Sequence, residues 1–390
     1  MASENPKVSA SANEFTLDIY KAVTESSKND NLFIAPTSIL VVMAMVQVGA
    51  RNVTKDQMVA ALKLKFRNEK ELLEEFELFS KALNQGSRDV TLQSANKLYP
   101  DKGKDILQEY ISVVSKHFGT EIEALEFSTS PEPSRMSINK WVEEFTNHKI
   151  KDLLPNGSIN ALTRLVIVNA IYFKGNWATQ FKPENTKKDN FHLIGGKTAT
   201  IDMMNAEMEN VRYGESSEHA CKVLHLPYIG EELAMIVVLP KDTDGLLKLE
   251  QSLDSPTLNK IINDVITPTV VVSLPKFKLE SSFALSNTLS ALGMVDVFSE
   301  AKADLSGMGK KLYVSQVFHK AFVDVNEEGT EAAAATAAVM MTFSLPPPPS
   351  EFKADHPFLF LIWNYKLNAP LFIGRYMHPP SAPIQTHEEL

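Results

Sequence analysis

The stretch from residue 325 to residue 350 constrains this chain most, because it fits no ordinary core element. It reads VNEEGTEAAAATAAVMMTFSLPPPPS. Alanine favours helices, yet the stretch has no stripe of large residues that would bury one helical face. A strand is the alternative, because every second position carries a small, uncharged side chain: Thr330, Ala332, Ala334, Thr336 and Ala338. Two states remain open at this point, an exposed loop or weak helix and a strand inserted into a crowded sheet.

The composition excludes several classes of protein. The chain has 390 residues, of which 44% are hydrophobic and 22% are charged, values typical of a soluble globular protein. Its 39 basic and 48 acidic residues give a net charge of −9, and the basic residues are scattered, so we expect no nucleic-acid partner. The apolar runs 233–240 and 358–363 have only the length of strands, so we expect no membrane span.

Hydrophobic periodicity predicts helices mainly in the first third of the chain and strands in the remainder. The predicted helices cover residues 13–26, 39–48, 54–62, 69–83, 106–117, 134–149 and 283–292, with Thr37 or Ser38 as the cap of the second. The predicted strands cover residues 31–36, 90–99, 165–173, 221–227, 233–239, 270–275, 277–280, the second half of 312–325, 357–363 and 369–376. This order of elements predicts one α+β domain with large sheets.

Asn169 is the polar exception inside the apolar strand 165–173. A buried asparagine needs hydrogen-bond partners. We therefore expect Asn169 to be a satisfied polar group of the core, at a position where strands can part.

The sequence carries no catalytic signature. The Gly-x-Ser-x-Gly, P-loop, dinucleotide-binding and His-Glu-x-x-His motifs are all missing. His219 and His225 lie near Cys221, but one thiol and two imidazoles along a strand make a weak metal site. Cys221 is the single cysteine, and we expect a buried, inert thiol. We expect a protein that is not an enzyme and that uses neither a metal nor a cofactor, and a pair of carboxylates brought together by the fold stays open as the alternative.

The stretch from residue 325 to residue 350 has the chemistry of a protease substrate. A peptide held open on a surface is a preferred cleavage site, and the side chain of Phe343 suits a deep apolar specificity pocket. Ser344 and Leu345 do not obstruct cleavage after Phe343, because proline begins only at Pro346.

Several motifs in a fixed order resemble those of the serpin family over nearly the whole chain. They include NLFIAPTSI, VNAIYFKGNW, LPKFKLE, HKAFVDVNEEGTE and FKADHPFLFLI. The chain is similar to inhibitory members, and to insect and other invertebrate serpins with an ER-retrieval-like tail. The resemblance identifies the hinge of a reactive-centre loop with Glu327, Glu328, Gly329, Thr330, Glu331, Ala332, Ala333, Ala334, Ala335 and Thr336.

The resemblance implies a single serpin domain over residues 1–390. This fold belongs to the α+β class and has three β-sheets with about eight to nine helices. Residues 1–12 are expected to form a flexible N-terminus and residues 379–390 a flexible tail. The hinge and the exposed reactive-centre loop are expected at residues 326–350.

The resemblance also implies a suicide-substrate inhibitor of serine proteases. The protease cleaves the Phe343–Ser344 bond, forms an acyl-enzyme, and is trapped when the loop enters the main sheet as a strand. Chymotrypsin-like proteases are the expected partners, and cleavage after Met340 or Met341 would extend the range to elastase-like enzymes. We expect a monomer that forms a one-to-one covalent complex. The alternative is a non-inhibitory serpin, a carrier or a chaperone.

Four further residues resemble functional positions of the family. By position, Ser38, Asn169 and His319 match the shutter residues, which hydrogen-bond beneath the sheet where it opens, and Trp177 matches the breach tryptophan. Ala35 departs from the family, whose members often carry serine there. One shutter hydrogen bond is therefore expected to be missing.

The two ends of the chain give opposite indications about location. The N-terminal residues include no apolar stretch of signal-peptide length, whereas the last four, 387–390 (HEEL), resemble the ER-retrieval tetrapeptide. Because such a signal works only in the ER, we expect a signal peptide to precede this sequence. Sequons at Asn52 and Asn156 are candidate glycosylation sites. We expect a secretory or extracellular protein, with a cytoplasmic location as the alternative.

Overall fold

The computed structural model describes residues 7–83, 90–329 and 348–380. Within these ranges the chain forms nine α-helices and fourteen β-strands, and the strands make three sheets. The predicted α+β class with three sheets is confirmed. The hinge residues from Thr330 to Thr336, the Phe343–Ser344 bond and the tail from residue 381 onward lie outside the described residues.

Three sheets account for the strands. The central sheet has the order β10 (Phe277–Ala284), β11 (Gln316–Val325), β3 (Leu165–Gly175) and β2 (Val90–Pro100). The six-stranded sheet has the order β1 (Leu32–Ile34), β14 (Ala369–Tyr376), β13 (Phe358–Asn364), β8 (Leu233–Pro240), β7 (Cys221–Pro227) and β6 (Tyr213–Ser216). The third sheet has the order β12 (Ser350–Lys353), β9 (Val270–Pro275), β5 (Thr198–Met208) and β4 (Lys187–His192).

Seven of the helices follow the predicted patterns, with corrected ends. In the described residues they are α1 (Lys7–Ser26), α2 (Pro36–Gly49), α3 (Asn52–Ala61), α4 (Glu69–Leu83), α5 (Gln108–Phe118), α6 (Pro131–Phe145), α7 (Leu246–Ser252), α8 (Ser255–Asn263) and α9 (Ser286–Ala291). Every residue of α2 is buried, as expected of a helix that is apolar on all sides. No helix among the described residues is long and apolar enough to cross a bilayer.

The N-terminal helix corrects one prediction. Because α1 begins at Lys7, the predicted flexible N-terminus of residues 1–12 is wrong from Lys7 onward. Val8 and Ala12 are fully buried in the core, and the backbone N–H of Lys7 donates to the Glu75 carboxylate at 2.8 Å. Small buried side chains hold this part of the helix, and a search for large apolar residues at helical spacing does not detect them.

Two other helix predictions are wrong in detail. The predicted caps Thr37 and Ser38 lie inside α2, because the helix begins at Pro36 with Ala35 as its N-cap and no side-chain cap. The hydroxyl of Ser38 takes part instead in a buried network described below. Helix α9 begins at Ser286 rather than at residue 283. Phe283 still belongs to β10, where its ring stacks on His319 with the centroids 6.2 Å apart.

The sequence patterns miss β4, β5, β6 and β12, together with the short helices α7 and α8. Strand β4 reads KKDNFH, with one buried residue among six, so it has no hydrophobic alternation. Strand β12 begins at Ser350, inside the predicted loop of residues 326–350, and pairs in parallel with β9 from Ser350 opposite Val270. Strands β4 and β12 lie at the two edges of the third sheet. They are defined by backbone pairing, which the pattern of residues alone does not reveal.

Both faces of the central sheet are covered. Val166 and Val168 of β3 share a buried cluster with Val142 of α6. Ile171 and Phe173 belong to the cluster on the other face, which the six-stranded sheet and the third sheet complete. The continuous apolar run of β3 is therefore that of a middle strand covered on both faces, as predicted.

Candidate functional site

The two middle strands of the central sheet run parallel and separate at one end. Strand β11 pairs with β3 as far as Phe322 opposite Tyr172. Beyond that point β3 continues to Gly175 against β2, and β11 continues to Val325 against β10, without pairing between β3 and β11. We call the space between these last three residues of each strand the sheet opening. It is the one place in the described central sheet where neighbouring strands part.

The chain leaves β11 in a tight turn, residues 326–329, beside the end of β3. Backbone hydrogen bonds of 3.0 and 3.3 Å between Asn326 and Gly329 close the turn. Gly329 then forms an antiparallel bridge with Asn176, the residue that follows β3. The first residues of the predicted hinge are therefore already joined to the end of β3 in the geometry of a strand.

The segment that follows β3 holds this turn by donating hydrogen bonds to the carbonyl groups of the turn residues. The indole Nε1 of Trp177 donates to the carbonyl oxygen of Asn326 at 2.9 Å, and the backbone N–H of Trp177 donates to that of Glu328 at 3.1 Å. The backbone N–H of Phe181 donates to the carbonyl oxygen of Glu327 at 2.9 Å. The predicted breach residue Trp177 thus contacts the predicted hinge residue Glu328 directly, and Phe181 contacts the hinge residue Glu327.

Aromatic packing fixes the indole of Trp177. Its ring stacks on Tyr228 with the centroids 4.7 Å apart and the planes 12° apart. Tyr228 in turn meets Phe173 of β3 edge to face at 5.0 Å. Trp177 is almost fully buried, so its hydrogen bond to the turn is shielded from water.

Gly329 is at a position that only glycine fits. Its φ is +132°, which L side chains rarely adopt. A Cβ built there would lie 2.3 Å from the carbonyl oxygen of Gly175 and 2.5 Å from the Cα of Asn176. The missing side chain therefore allows the turn to lie directly on the backbone at the end of β3.

The carboxylate of Glu327 ties the turn to two other elements. Lys276, between β9 and β10, donates to it at 2.8 Å, and the hydroxyl of Thr186 donates to its other oxygen at 2.8 Å. Burial alone would raise the pKa of Glu327, but these hydrogen bonds together with a backbone hydrogen bond hold that pKa below its ordinary value. Glu327 is therefore ionised and held in place at neutral pH.

A second constellation lies beneath the middle of β3 and β11. His319 of β11 is directly opposite Asn169 of β3, and Nδ1 of its ring lies 2.5 Å from Oδ1 of Asn169. The amide nitrogen of Asn169 donates to the hydroxyl of Ser38 at 2.5 Å. The three predicted shutter residues are therefore joined in one hydrogen-bonded chain, and Asn169 is the satisfied core polar group that the sequence predicts.

His319 in this network is neutral. It is fully buried, and burial lowers the pKa of its imidazole to about 3. Its Nε2 accepts the backbone N–H of Ala35 at 3.2 Å, so Nδ1 carries the proton and donates to Asn169. Alanine at position 35 was expected to remove one shutter hydrogen bond. The loss is only partial, because the backbone N–H of Ala35 donates to His319.

Two residues of the network are missed by the sequence analysis. The hydroxyl oxygens of Ser38 and Ser94 are 2.8 Å apart, and Asn169 also donates to the amide oxygen of Asn96. Ser94 and Asn96 lie two residues apart on β2, hence on one face of that strand, and Asn96 is directly opposite Asn169. Polar residues at alternate positions of a predicted strand were the available signal for this extension.

The two predicted sequons differ in their surroundings. The amide nitrogen of Asn52 donates to the Asp304 carboxylate at 2.6 Å, and the hydroxyl of Thr54 is buried and accepts the backbone N–H of Asp304 at 3.0 Å. Asn156 is exposed in a turn that continues through Gly157 with a φ of +75°. Only the sequon of Asn156 presents its asparagine without a carboxylate bound to the amide.

The residues near the single cysteine form no reactive site. Cys221 is fully buried, and burial raises the pKa of its thiol to about 11. His225 is buried as well, and burial lowers the pKa of its imidazole to about 4. Among the described residues no group of His, Cys, Asp and Glu is arranged to hold a metal ion.

Comparison with known proteins shows which family this chain is similar to. The family model of the serpins, described as serine protease inhibitors, matches residues 10–379. The leukocyte elastase inhibitor of Homo sapiens is 39% identical over 383 residues, covering 96% of this chain and 100% of that protein. That of Xenopus tropicalis is 40% identical over 379 residues, covering 95% and 99%. Antithrombin-III of Mus musculus is 38% identical over 383 residues, covering 96% and 82%.

Solved structures agree with the architecture. Uncleaved ovalbumin superimposes with a TM-score of 0.86 at 30% identity, covering 95% of this chain and 100% of that structure. Serpin48 of the insect Tenebrio molitor superimposes with a TM-score of 0.86 at 30% identity, covering 97% and 100%. Human thyroxine-binding globulin complexed with its ligand superimposes with a TM-score of 0.87 at 27% identity, covering 96% and 99%.

Proposed function

The chain belongs to the serpin family, and we propose that it inhibits serine proteases as a suicide substrate. One observation carries the proposal: the turn at the start of the hinge is bridged antiparallel to the end of β3, through Gly329 and Asn176, beside the opening between two parallel strands. A strand continuing from this bridge would run down the sheet between β11 and β3.

The direction of the strands supports insertion. Because β3 and β11 are parallel, one new strand between them can be antiparallel to both and complete an all-antiparallel sheet. The turn of residues 326–329 already reverses the chain as it leaves β11. The following residues therefore need no change of direction to enter the sheet opening.

The register of the bridge agrees with the small side chains of the hinge. Continuing it from Gly329 and Asn176 brings Ala334 opposite Ile171, Thr336 opposite Asn169 and Ala338 opposite Ile167. Opposite residues of an antiparallel pair share a face of the sheet. These three β3 side chains point into the core beneath the sheet, so the inserted residues on that face are alanine or threonine from Thr330 to Ala338. Insertion of these first five positions therefore meets no bulky or charged group.

The trapped species is an ester. The hydroxyl oxygen of the protease serine attacks the carbonyl carbon of Phe343, the bond to the nitrogen of Ser344 breaks, and the new amine leaves with a proton. Insertion then occurs before water hydrolyses the ester and releases the protease. The catalytic groups belong to the protease, and this chain, a monomer, supplies only the bond that is cut.

The preferred targets are chymotrypsin-like serine proteases, with elastase-like enzymes as a second group. Phe343 suits the apolar pocket of the first group. Met340 and Met341 offer cleavable bonds for elastase-like enzymes. The leukocyte elastase inhibitors, relatives that are 39% to 40% identical to this chain, support this second group of targets. The alternative is a carrier, for which thyroxine-binding globulin is the structural precedent. The small hinge residues favour inhibition.

A mixing experiment separates these functions. The purified chain is incubated with chymotrypsin, and separately with elastase, and each mixture is analysed on denaturing gels and by residual protease activity. An inhibitor gives a one-to-one complex that survives detergent, together with loss of activity. A non-inhibitory serpin is cut while the protease stays active. Phe343→Arg should move the reaction toward trypsin, and an unchanged preference would disprove the assignment of the bond.

We also propose a secretory location, with glycosylation at Asn156 rather than at Asn52. The exposed turn at Asn156 leaves room for a glycan, whereas a glycan on Asn52 would disturb its bond to Asp304. Expression of the chain behind a secretory leader tests the glycosylation site. N-glycosidase should change the gel mobility of the unchanged chain and of Asn52→Gln, but not that of Asn156→Gln. Deleting residues 387–390 should increase release into the medium. Equal release with and without these residues would show that the tail does not act as a retrieval signal.

A further inference from the structure

The sheet opening ends at one pair of aromatic side chains. We call the stretch over which β3 and β11 pair the seam, and its last pair is Tyr172 opposite Phe322. The ring centroids of these two residues are 6.4 Å apart and the ring planes are 26° apart, within the range of stacked aromatic pairs. Among the seven residue pairs of the described seam, this is the only one in which both side chains are aromatic.

The aromatic pair lies on the outer face of the sheet, opposite to the shutter residues. Side chains alternate between the two faces along a strand, so Phe322, three residues after His319, points to the other face. It packs against the buried cluster that α6 and the segment after α6 form with β3. Tyr172, three residues after Asn169, is almost fully buried. The seam is therefore fastened twice, by the aromatic stack on its outer face and by the His319–Asn169 hydrogen bond on its core face.

A strand that enters from the sheet opening reaches the aromatic pair first. The bond between His319 and Asn169 lies three residue pairs further along the seam. Insertion moves two neighbouring strands from about 4.8 Å to about twice that distance, and this takes the rings of Tyr172 and Phe322 out of contact. The stack is therefore lost in the first step of insertion, and it contributes to the barrier of that step.

We propose that Tyr172 and Phe322 act together as a clasp that sets the resting length of the sheet opening, an inference that rests on the proposed function. The two rings face each other and not the protease, so both are positioning residues for the trapping step. The clasp keeps the seam closed while the loop is uncut, and the chain then remains in the state that a protease attacks. A single aromatic stack shifts an equilibrium by only about two- to tenfold. It therefore delays the entry of an uncut loop without preventing the entry of a cut one.

Hydrogen exchange measures the clasp in the free chain, without a protease. Phe322→Leu keeps an apolar side chain but removes the stack. The backbone amides of residues 165–175 and 316–325 should then exchange about fivefold faster than in the unchanged chain.

Phe66→Leu is the matched control. Phe66 is also partly buried, and its ring lies 6.1 Å from that of Phe76 on α4, outside the three sheets. This substitution removes an aromatic contact of similar length and should leave the exchange of both seam segments unchanged.

A double variant distinguishes a clasp from two rings that pack independently. Tyr172→Leu, Phe322→Leu and the double variant form a cycle, in which the hydroxyl of Tyr172 is lost in both backgrounds and its contribution cancels. If the rings act together, the exchange rate of the double variant should fall short of the product of the two single effects by about fivefold. Effects that multiply fully would overturn the clasp.

A second measurement connects the clasp with trapping. Each free protein is stored below its unfolding temperature, and its remaining capacity to trap chymotrypsin is followed over time. Phe322→Leu should lose this capacity about fivefold faster than the unchanged chain, because the uncut loop enters its sheet more easily. Phe66→Leu should lose the capacity at the original rate.

The outcomes separate this inference from the proposed function. If the unchanged chain never traps chymotrypsin, the proposed function fails, whereas hydrogen exchange still shows whether the two rings hold the seam. If the unchanged chain traps chymotrypsin but Phe322→Leu exchanges no faster than Phe66→Leu in the seam, the clasp is wrong and the proposed function stands.

Discussion

His319 accepts the backbone N–H of Ala35 through Nε2 at 3.2 Å. This bond fixes the tautomer of the imidazole. Its single N–H proton is therefore on Nδ1 and points toward Asn169. The hydrogen bond between β3 and β11 beneath the centre of the sheet therefore depends on a neutral histidine. Any strand that enters between β3 and β11 must replace this bond.

The first prediction concerns pH. The pKa of His319 is lowered to about 3 in the folded chain, against 6.5 for a free histidine. Between these values the unfolded chain binds a proton that the folded chain does not, so stability rises with pH across this window. As the pH falls through this window, His319 lowers the free energy of unfolding by at most about 1.4 kcal/mol per pH unit.

Urea unfolding from pH 4 to pH 7 measures this dependence. His319→Gln, which does not titrate, should be less stable than the unchanged chain at pH 7 and should show a shallower loss of stability toward pH 4. The difference between the two profiles isolates His319 from the carboxylates that titrate in both proteins. Parallel profiles would mean that His319 is not a buried neutral group.

The second prediction concerns Gly329. Alanine there would place its Cβ within 2.5 Å of two backbone atoms, so the turn must move. We expect Gly329→Ala to lower the free energy of unfolding by at least about 2 kcal/mol. Gly196→Ala is the matched control, because Gly196 has a φ of +81° with nothing near the added Cβ, and should cost only about 1 kcal/mol. Equal costs would show that the close contact with β3 does not matter.

The third prediction concerns a buried ion pair. Arg375 of β14 donates to the Glu250 carboxylate of α7 at 3.1 Å, and both side chains are buried. Glu250→Leu leaves the guanidinium without its carboxylate and should lower stability by about 3–5 kcal/mol. The double variant Glu250→Leu/Arg375→Met removes both charges and should be more stable than Glu250→Leu alone. A double variant that is less stable would contradict this reading of the pair.

Local patterns predict the elements of this fold, but not the contacts between them. The apolar run of β3 and the all-apolar helix α2 are recognisable because burial on all sides leaves a continuous pattern in the chain. Strand β4, with its polar residues at a sheet edge, leaves none. The ends of α1 and α9 are set by packing of Val8 and Phe283 against distant elements, which periodicity does not report.

The candidate site divides in the same way. The small alternate residues of the hinge are visible in the sequence, because their regular spacing is itself the signal. The contact of Lys276 with Glu327, 51 residues apart, and the fit of Gly329 onto Asn176 exist only in three dimensions. The same holds for Asn96, which joins the shutter residues only because β2 pairs with β3. Sequence therefore predicts which residues would enter the sheet, and the Gly329–Asn176 bridge gives the register from which they would continue.

That register is the central claim, and one measurement tests it directly. Glu331 is predicted to face away from the core on insertion and Ala332 toward it, opposite Phe173. The swap Glu331→Ala/Ala332→Glu keeps composition and charge and only moves the carboxylate to the core face, where burial of a charge is costly. Glu331→Ala alone is the control, since it keeps both faces free of new charge.

The measurement is the number of inhibitor molecules consumed for each molecule of chymotrypsin trapped. The unchanged chain and Glu331→Ala should both need about one inhibitor per protease, as trapping by strand addition requires. The swapped chain should be cleaved after Phe343 as a substrate, with little covalent complex and with the protease still active. If the swapped chain traps chymotrypsin as efficiently as the unchanged chain, insertion in this register is wrong.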